Sequence, residues 1–205
     1  MVQVELVSSA SSRVAITAIK AGVCETQPPA SICGDTDDRI PSTDVRVGRS
    51  NGGCTAYLIS EDVFLTAGHC GAPDSSWRMH FTFDNNMAAI EDQYAADVSS
   101  YRSDFSFNTG ADDFGIGRLL PNSNTGLLPG VAQSQKCRGG KSCGWYSLGA
   151  VPASTSKITM RVTGYGTADI ASQSQKTHTG ALTQIITGGG LMAMIISWST
   201  RWTPW

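Results

Sequence analysis

Few side chains in this chain are placed to move protons, and one histidine stands in a distinctive setting. His69 comes near the end of the run Leu65-Thr66-Ala67-Gly68-His69-Cys70. An imidazole titrates near neutrality, so it can take a proton and return it. Asp112 and Asp113 open a largely apolar segment, Phe114-Gly115-Ile116-Gly117-Arg118-Leu119. Successive strand residues face opposite sides, so only one of the two carboxylates can reach a histidine. A nucleophile would complete a hydrolytic set. Gly140-Lys141-Ser142-Cys143-Gly144 imitates one, because it matches Gly-x-Ser-x-Gly. That pattern works where the serine sits on a strand-to-helix elbow, and no helical pattern follows here. Ser142 is therefore not expected to be a nucleophile. The Gly-Lys-Ser within it is no phosphate loop either, since Gln135 stands where the first glycine belongs. His80 lies on an alternating segment and reads as a surface or packing residue. His178, in Thr177-His178-Thr179-Gly180, reads as a turn or hydrogen-bonding residue.

Strands must position these groups. Ala56-Tyr57-Leu58-Ile59-Ser60 is a strand-like run that ends in a turn, and Val63-Phe64-Leu65 restarts it just before His69. The stretch from His69 to Asp113 has room for two strands and a long loop. Within it, Trp77-Arg78-Met79-His80-Phe81-Thr82-Phe83 alternates, which predicts a strand with one buried face. Asp84-Asn85-Asn86 then predicts a turn. Val45-Arg46-Val47 alternates as well. Residues 121–144 are rich in Pro, Gly, Asn and Ser and read as a link between two halves. A second strand-rich half follows, with Trp145-Tyr146-Ser147-Leu148-Gly149 and the alternating segment 158–166. No internal repeat or heptad is present.

Composition narrows the classes. A chain of 205 residues fits one domain or two small ones. Abundant glycine, sparse charge and frequent Ser and Thr favour many short strands and turns over helices. A net charge of −2 without a basic stripe argues against nucleic acid as partner. The longest apolar run, residues 191–198, falls far short of the roughly 20 residues a membrane helix needs. The six cysteines are Cys24, Cys33, Cys54, Cys70, Cys137 and Cys143. An even number with no Cys-x-x-Cys pair points to disulfides in an oxidising compartment, with no metal site or cofactor implied. Met1-Val2-Gln3-Val4-Glu5-Leu6 supplies no basic and apolar signal sequence. Since the cysteines favour export, the true start is expected upstream.

The segment around His69 resembles the histidine motif of the trypsin-like serine proteases. In that family the histidine is the general base for a nucleophilic serine. Setting Leu119 on the family's leucine places Asp113 on the catalytic aspartate and Asp112 on the neighbouring polar position. The resemblance implies a Cys54–Cys70 bridge that holds the His69 loop against the strand before it. Proximity adds Cys24–Cys33 and Cys137–Cys143. Asp37-Asp38-Arg39-Ile40 resembles the entry to the catalytic domain in the glutamyl-endopeptidase-like branch. The family fold is all-β, a chymotrypsin-like pair of antiparallel β-barrels with the active site between them. The domain reading is a leader or pro-segment over 1–36, a first barrel over 37–130, a partial second barrel over 131–190 and a Trp-rich tail over 191–205.

One part of the resemblance breaks off. The family's Gly-Asn/Asp-Ser-Gly-Gly nucleophile motif does not occur in the 205 residues. Instead Gly188-Gly189-Gly190 leads into an apolar run, and Trp198, Trp202 and Trp205 follow. Back-translation from Trp198 in a shifted frame permits Val-x-x-Val-Asp-Thr, similar to the strand that precedes the nucleophile in this branch. A frameshift or misplaced exon boundary near residues 184–191 is the expectation. The second barrel then lacks strands, and the polypeptide as written is expected to be inactive. The expected partner is a polypeptide substrate or a protein, with no membrane, for a secreted monomer. Two alternatives are a non-catalytic homologue that binds proteins through the first barrel, and an interaction protein that docks through its Trp-rich tail.

Overall fold

The structure describes residues 3–7, 39–84, 89–105, 113–137, 143–148, 159–166, 173–181, 186–188 and 193–195. In this computed structural model the short β-branched and aromatic runs form strands, as their period predicts. They are β1 (Gln3–Val7), β2 (Ile40–Pro41), β3 (Val47–Ser50), β4 (Thr55–Leu58), β5 (Val63–Thr66), β6 (Arg78–His80), β7 (Gln93–Asp104) and β8 (Phe114–Leu119). One helix, α1 (Pro129–Lys136), precedes β9 (Thr159–Gly164), β10 (Lys176–Ala181), β11 (Ile186–Gly188) and β12 (Ala193–Ile195).

Six of these strands close into an antiparallel barrel in the order β3-β4-β5-β8-β7-β6. Closure leaves no unpaired strand edge. The barrel is filled by Ala56, Leu58, Phe64, Met79, Phe81, Tyr94, Ala96, Tyr101 and Leu119, all buried, with Trp77 and Trp145 packed against them. Phe64 stacks on Trp77 at 5.1 Å and on Tyr101 at 6.3 Å between ring centroids. The all-β, chymotrypsin-like reading of the sequence holds.

The remaining strands behave differently. β1, β9, β10 and β2 form a four-stranded sheet in that order, and β11 pairs with β12 separately. Residues 3–7, at the head of the segment read as a leader, form an edge strand, with Gln3 opposite Thr163 and Val7 opposite Thr159. This sheet docks on the barrel through a second buried cluster of Val47, Tyr57, Tyr146 and Tyr165. Hydrogen bonds fix the contact. Tyr165 N–H donates to Thr55 Oγ1 at 3.0 Å, and its hydroxyl donates to the Thr82 carbonyl at 2.8 Å. Tyr57 donates to the Thr163 carbonyl at 3.0 Å. Gln175, buried, donates from Nε2 to the carbonyls of Asp44 and Val47. Burial raises the Tyr165 phenol well above its usual value, so it remains a donor.

Two local expectations change. The alternating segment from Trp77 yields only β6, Arg78–His80, and Met79, His80 and Phe81 are buried in succession. Met79 and Phe81 belong to the barrel core, while His80 lies opposite Arg49 of β3. Both faces are covered there, so period-2 burial is lost. The stretch read as a link holds α1, which begins with Pro129 in its first turn, where proline costs no hydrogen bond. Among the described residues, the bridges Cys54–Cys70 and Cys137–Cys143 are formed. Cys24, Cys33, Asp112 and Ser142 lie outside the described residues.

Candidate active site

β5 and β8 are neighbours, and their last paired residues are Thr66 and Gly115. The chain leaving β5 and the chain entering β8 therefore meet at one end of the barrel. Beyond Thr66 the backbone makes a single tight turn over Gly68–Cys70, which carries His69. Asp113 stands directly before β8. Strand register thus brings together two residues far apart in sequence, and no specific loop structure is needed between them.

Both oxygens of Asp113 are used on His69. Oδ2 lies 2.7 Å from the imidazole Nδ1, and Oδ1 accepts the His69 backbone N–H at 2.9 Å. One carboxylate so fixes both the ring and the backbone that carries it. An ionised carboxylate can only accept. Nδ1 must then hold the hydrogen, which leaves the Nε2 lone pair as the proton acceptor. The His69 side chain is 43% exposed and that of Asp113 27%, so the ring is supported on one side and open on another.

Three features hold this turn in place. The Cys54–Cys70 disulfide ties it to the residue before β4. Gly68 lets it approach β7 and β8, since a Cβ there would stand 2.6 Å from the Asp104 carbonyl oxygen and 2.8 Å from that of Phe114. Phe105 packs beside the imidazole, 5.7 Å between centroids and tilted by 59°. The sequence points to the Cys54–Cys70 bridge, His69 and Asp113 but not to Phe105. It lies beyond the end of β7, and no short pattern links it to the histidine motif.

The other histidines stand apart from this arrangement. His80 is 4% exposed, on β6. Its pKa is lowered to about 4 by burial first, then by the nearby Arg49 and Arg78 cations, so it is neutral at pH 7. The packing reading of His80 agrees with this placement. His178 is half-buried on β10 opposite Val162, in a strand where the sequence suggested a turn. Among the described residues, no group of three or more His, Cys, Asp or Glu side chains is arranged to hold a metal ion. No helix among them is long and apolar enough to cross a membrane.

The described residues thus form a closed antiparallel barrel with a histidine–carboxylate pair at its rim. The Trypsin family model matches residues 32–188, and the chain belongs to this family of trypsin-like serine proteases and their homologues. No curated protein matches the chain.

Proposed function

We propose that this chain is a serine-endopeptidase module in which His69 is the general base, Asp113 its orienting carboxylate, and the nucleophilic serine is missing from the 205 residues. The observation that carries the reading is the two-point hold of Asp113 on His69, at Nδ1 and at the backbone N–H. A serine hydroxyl brought to Nε2 would lose its proton to His69 as the oxygen attacks a peptide carbonyl. Asp113 would stabilise the imidazolium formed. Backbone N–H groups beside the serine would hold the oxyanion. Without that serine and its loop, His69 has no hydroxyl to activate, and the polypeptide as written does not turn over peptides.

The finer reading follows from the same residues. Asp37-Asp38-Arg39-Ile40 favours the glutamyl-endopeptidase-like branch. Residues 37–130 make the first barrel, 131–190 part of a second, and 191–205 a tail from a shifted frame. The disulfides favour a secreted protein. A purified 205-residue chain, assayed on peptides with acidic and basic P1 residues, is expected to give no cleavage above a His69→Ala control. Cleavage abolished by that substitution overturns the reading. Sequencing the transcript past codon 180 tests its origin: a corrected frame is expected to restore Asp-Thr followed by Gly-Asn/Asp-Ser-Gly.

A further inference from the structure

The barrel interior carries an aromatic stack that ends beneath the candidate site. Trp77, Phe64 and Tyr101 lie nearly parallel, with interplanar angles of 24° and 19° for successive pairs. Tyr101 is 9% exposed and belongs to β7. Its ring lies along β8 because β8 presents glycines to it. A Cβ at Gly117 would stand 3.3 Å from Tyr101 Cδ2. A Cβ at Gly115 would collide with the Tyr101 hydroxyl oxygen and stand 2.9 Å from Cζ. Gly115, Gly117 and Leu119 are the buried residues of β8. Asp113 shares their parity and continues their face at the barrel rim. The tyrosine hydroxyl therefore ends under Gly115, two residues from the carboxylate that holds His69. Burial first, and the charge of Asp113 in part, raise the Tyr101 phenol above its ordinary value.

We propose that Tyr101 is a positioning residue for the His69–Asp113 pair. Its hydroxyl end fills the space that Gly115 leaves open and sets the path by which β8 delivers Asp113. The inference rests on the reading of His69 and Asp113 as a catalytic pair. It adds that the glycine of the Asp113-Phe114-Gly115 segment and the tyrosine of β7 form one steric unit. In a close-packed interior an added methyl group must displace something. At Gly115 the displaced groups are the Tyr101 ring tip and the β8 backbone that carries Asp113.

The test is a double-mutant cycle read at the hydrogen bond itself. In the 205-residue chain, the His69 Nδ1 proton is followed by its downfield NMR resonance and assigned by its loss in His69→Gln. Gly115→Ala is expected to speed exchange of that proton with water by about tenfold, the order of coupling between packed neighbours. Adding Tyr101→Phe to Gly115→Ala removes the colliding oxygen but leaves Cζ 2.9 Å from the added Cβ, so it should bring exchange back only to within about threefold of the parent. Tyr101→Phe alone, which empties the space under Gly115, should speed exchange by about threefold. If Gly115→Ala leaves the proton unchanged, or if the double variant is as disturbed as the single one, Tyr101 does not position the pair. If the parent shows no His69-dependent resonance, the pair itself is absent and the functional reading falls with it.

Discussion

The closed barrel and the four-stranded sheet are built from the same kinds of residue, yet they are held in different ways. In the barrel every strand has two neighbours, and one aromatic-rich core fills the interior. In the sheet, β1 and β2 are edges, and β2 covers only Lys176 and Thr177 of β10. The sheet relies on the barrel, through Tyr165, Tyr57 and Gln175. His69 and Asp113 both sit on the barrel, so their geometry is set by its closure and needs nothing from the sheet. The pair is thus set by the pairing of β5 with β8 alone.

The comparison is most sharply tested by emptying the barrel. Phe64→Ala removes the centre of the aromatic stack and should cost about 3–5 kcal/mol. Urea unfolding followed by Trp fluorescence measures it, and a loss no larger than that of a sheet variant would erase the distinction. Next in size is the disulfide that ties down the His69 turn. Cys54→Ala with Cys70→Ala should cost about 3 kcal/mol, since the bridge spans a separation of 16 residues. Hydrogen exchange should speed first in residues 67–71.

Acid should act on the barrel through His80. Burial first, then the Arg49 and Arg78 cations, lower its folded pKa to about 4 from the ordinary 6.5. Between those values the unfolded chain binds more protons than the folded one, so stability falls as pH drops from about 6.5 towards 4 and levels off below. A pH series of unfolding midpoints reads this slope, and His80→Gln should flatten it. The smallest effect belongs to the sheet. Tyr165→Phe deletes the donor to the Thr82 carbonyl and should cost about 1 kcal/mol. Amide exchange should quicken in β9 and β10 while β4, β5 and β8 keep their protection.

Much of the barrel end is legible in the sequence because its signals are local. Val63-Phe64-Leu65 predicts a strand, the histidine motif follows at once, and Asp113 opens a later recognisable strand. Their meeting depends only on β5 pairing with β8. What the sequence hides is set by contacts from elsewhere. α1 lies in a stretch whose Pro129 and Gly130 read as loop residues, yet both are buried there. β7 is 12 residues long, but a register shift between Asp97 and Arg102 and the polar run through Ser99 and Ser100 break its alternation. The role of Gly115 is invisible for the same reason, because nothing near it in sequence indicates a tyrosine ring against β8.

On the proposed reading, this polypeptide holds the base and the orienting carboxylate of a serine peptidase without a serine for them to activate. A fluorophosphonate, which phosphonylates activated serines with loss of fluoride, followed by intact-mass analysis of the parent and His69→Ala chains, tests it directly. The account predicts that both chains stay unlabelled at concentrations that fully label a working serine protease. A single adduct on a serine of the parent, absent from His69→Ala, would contradict it and identify the nucleophile.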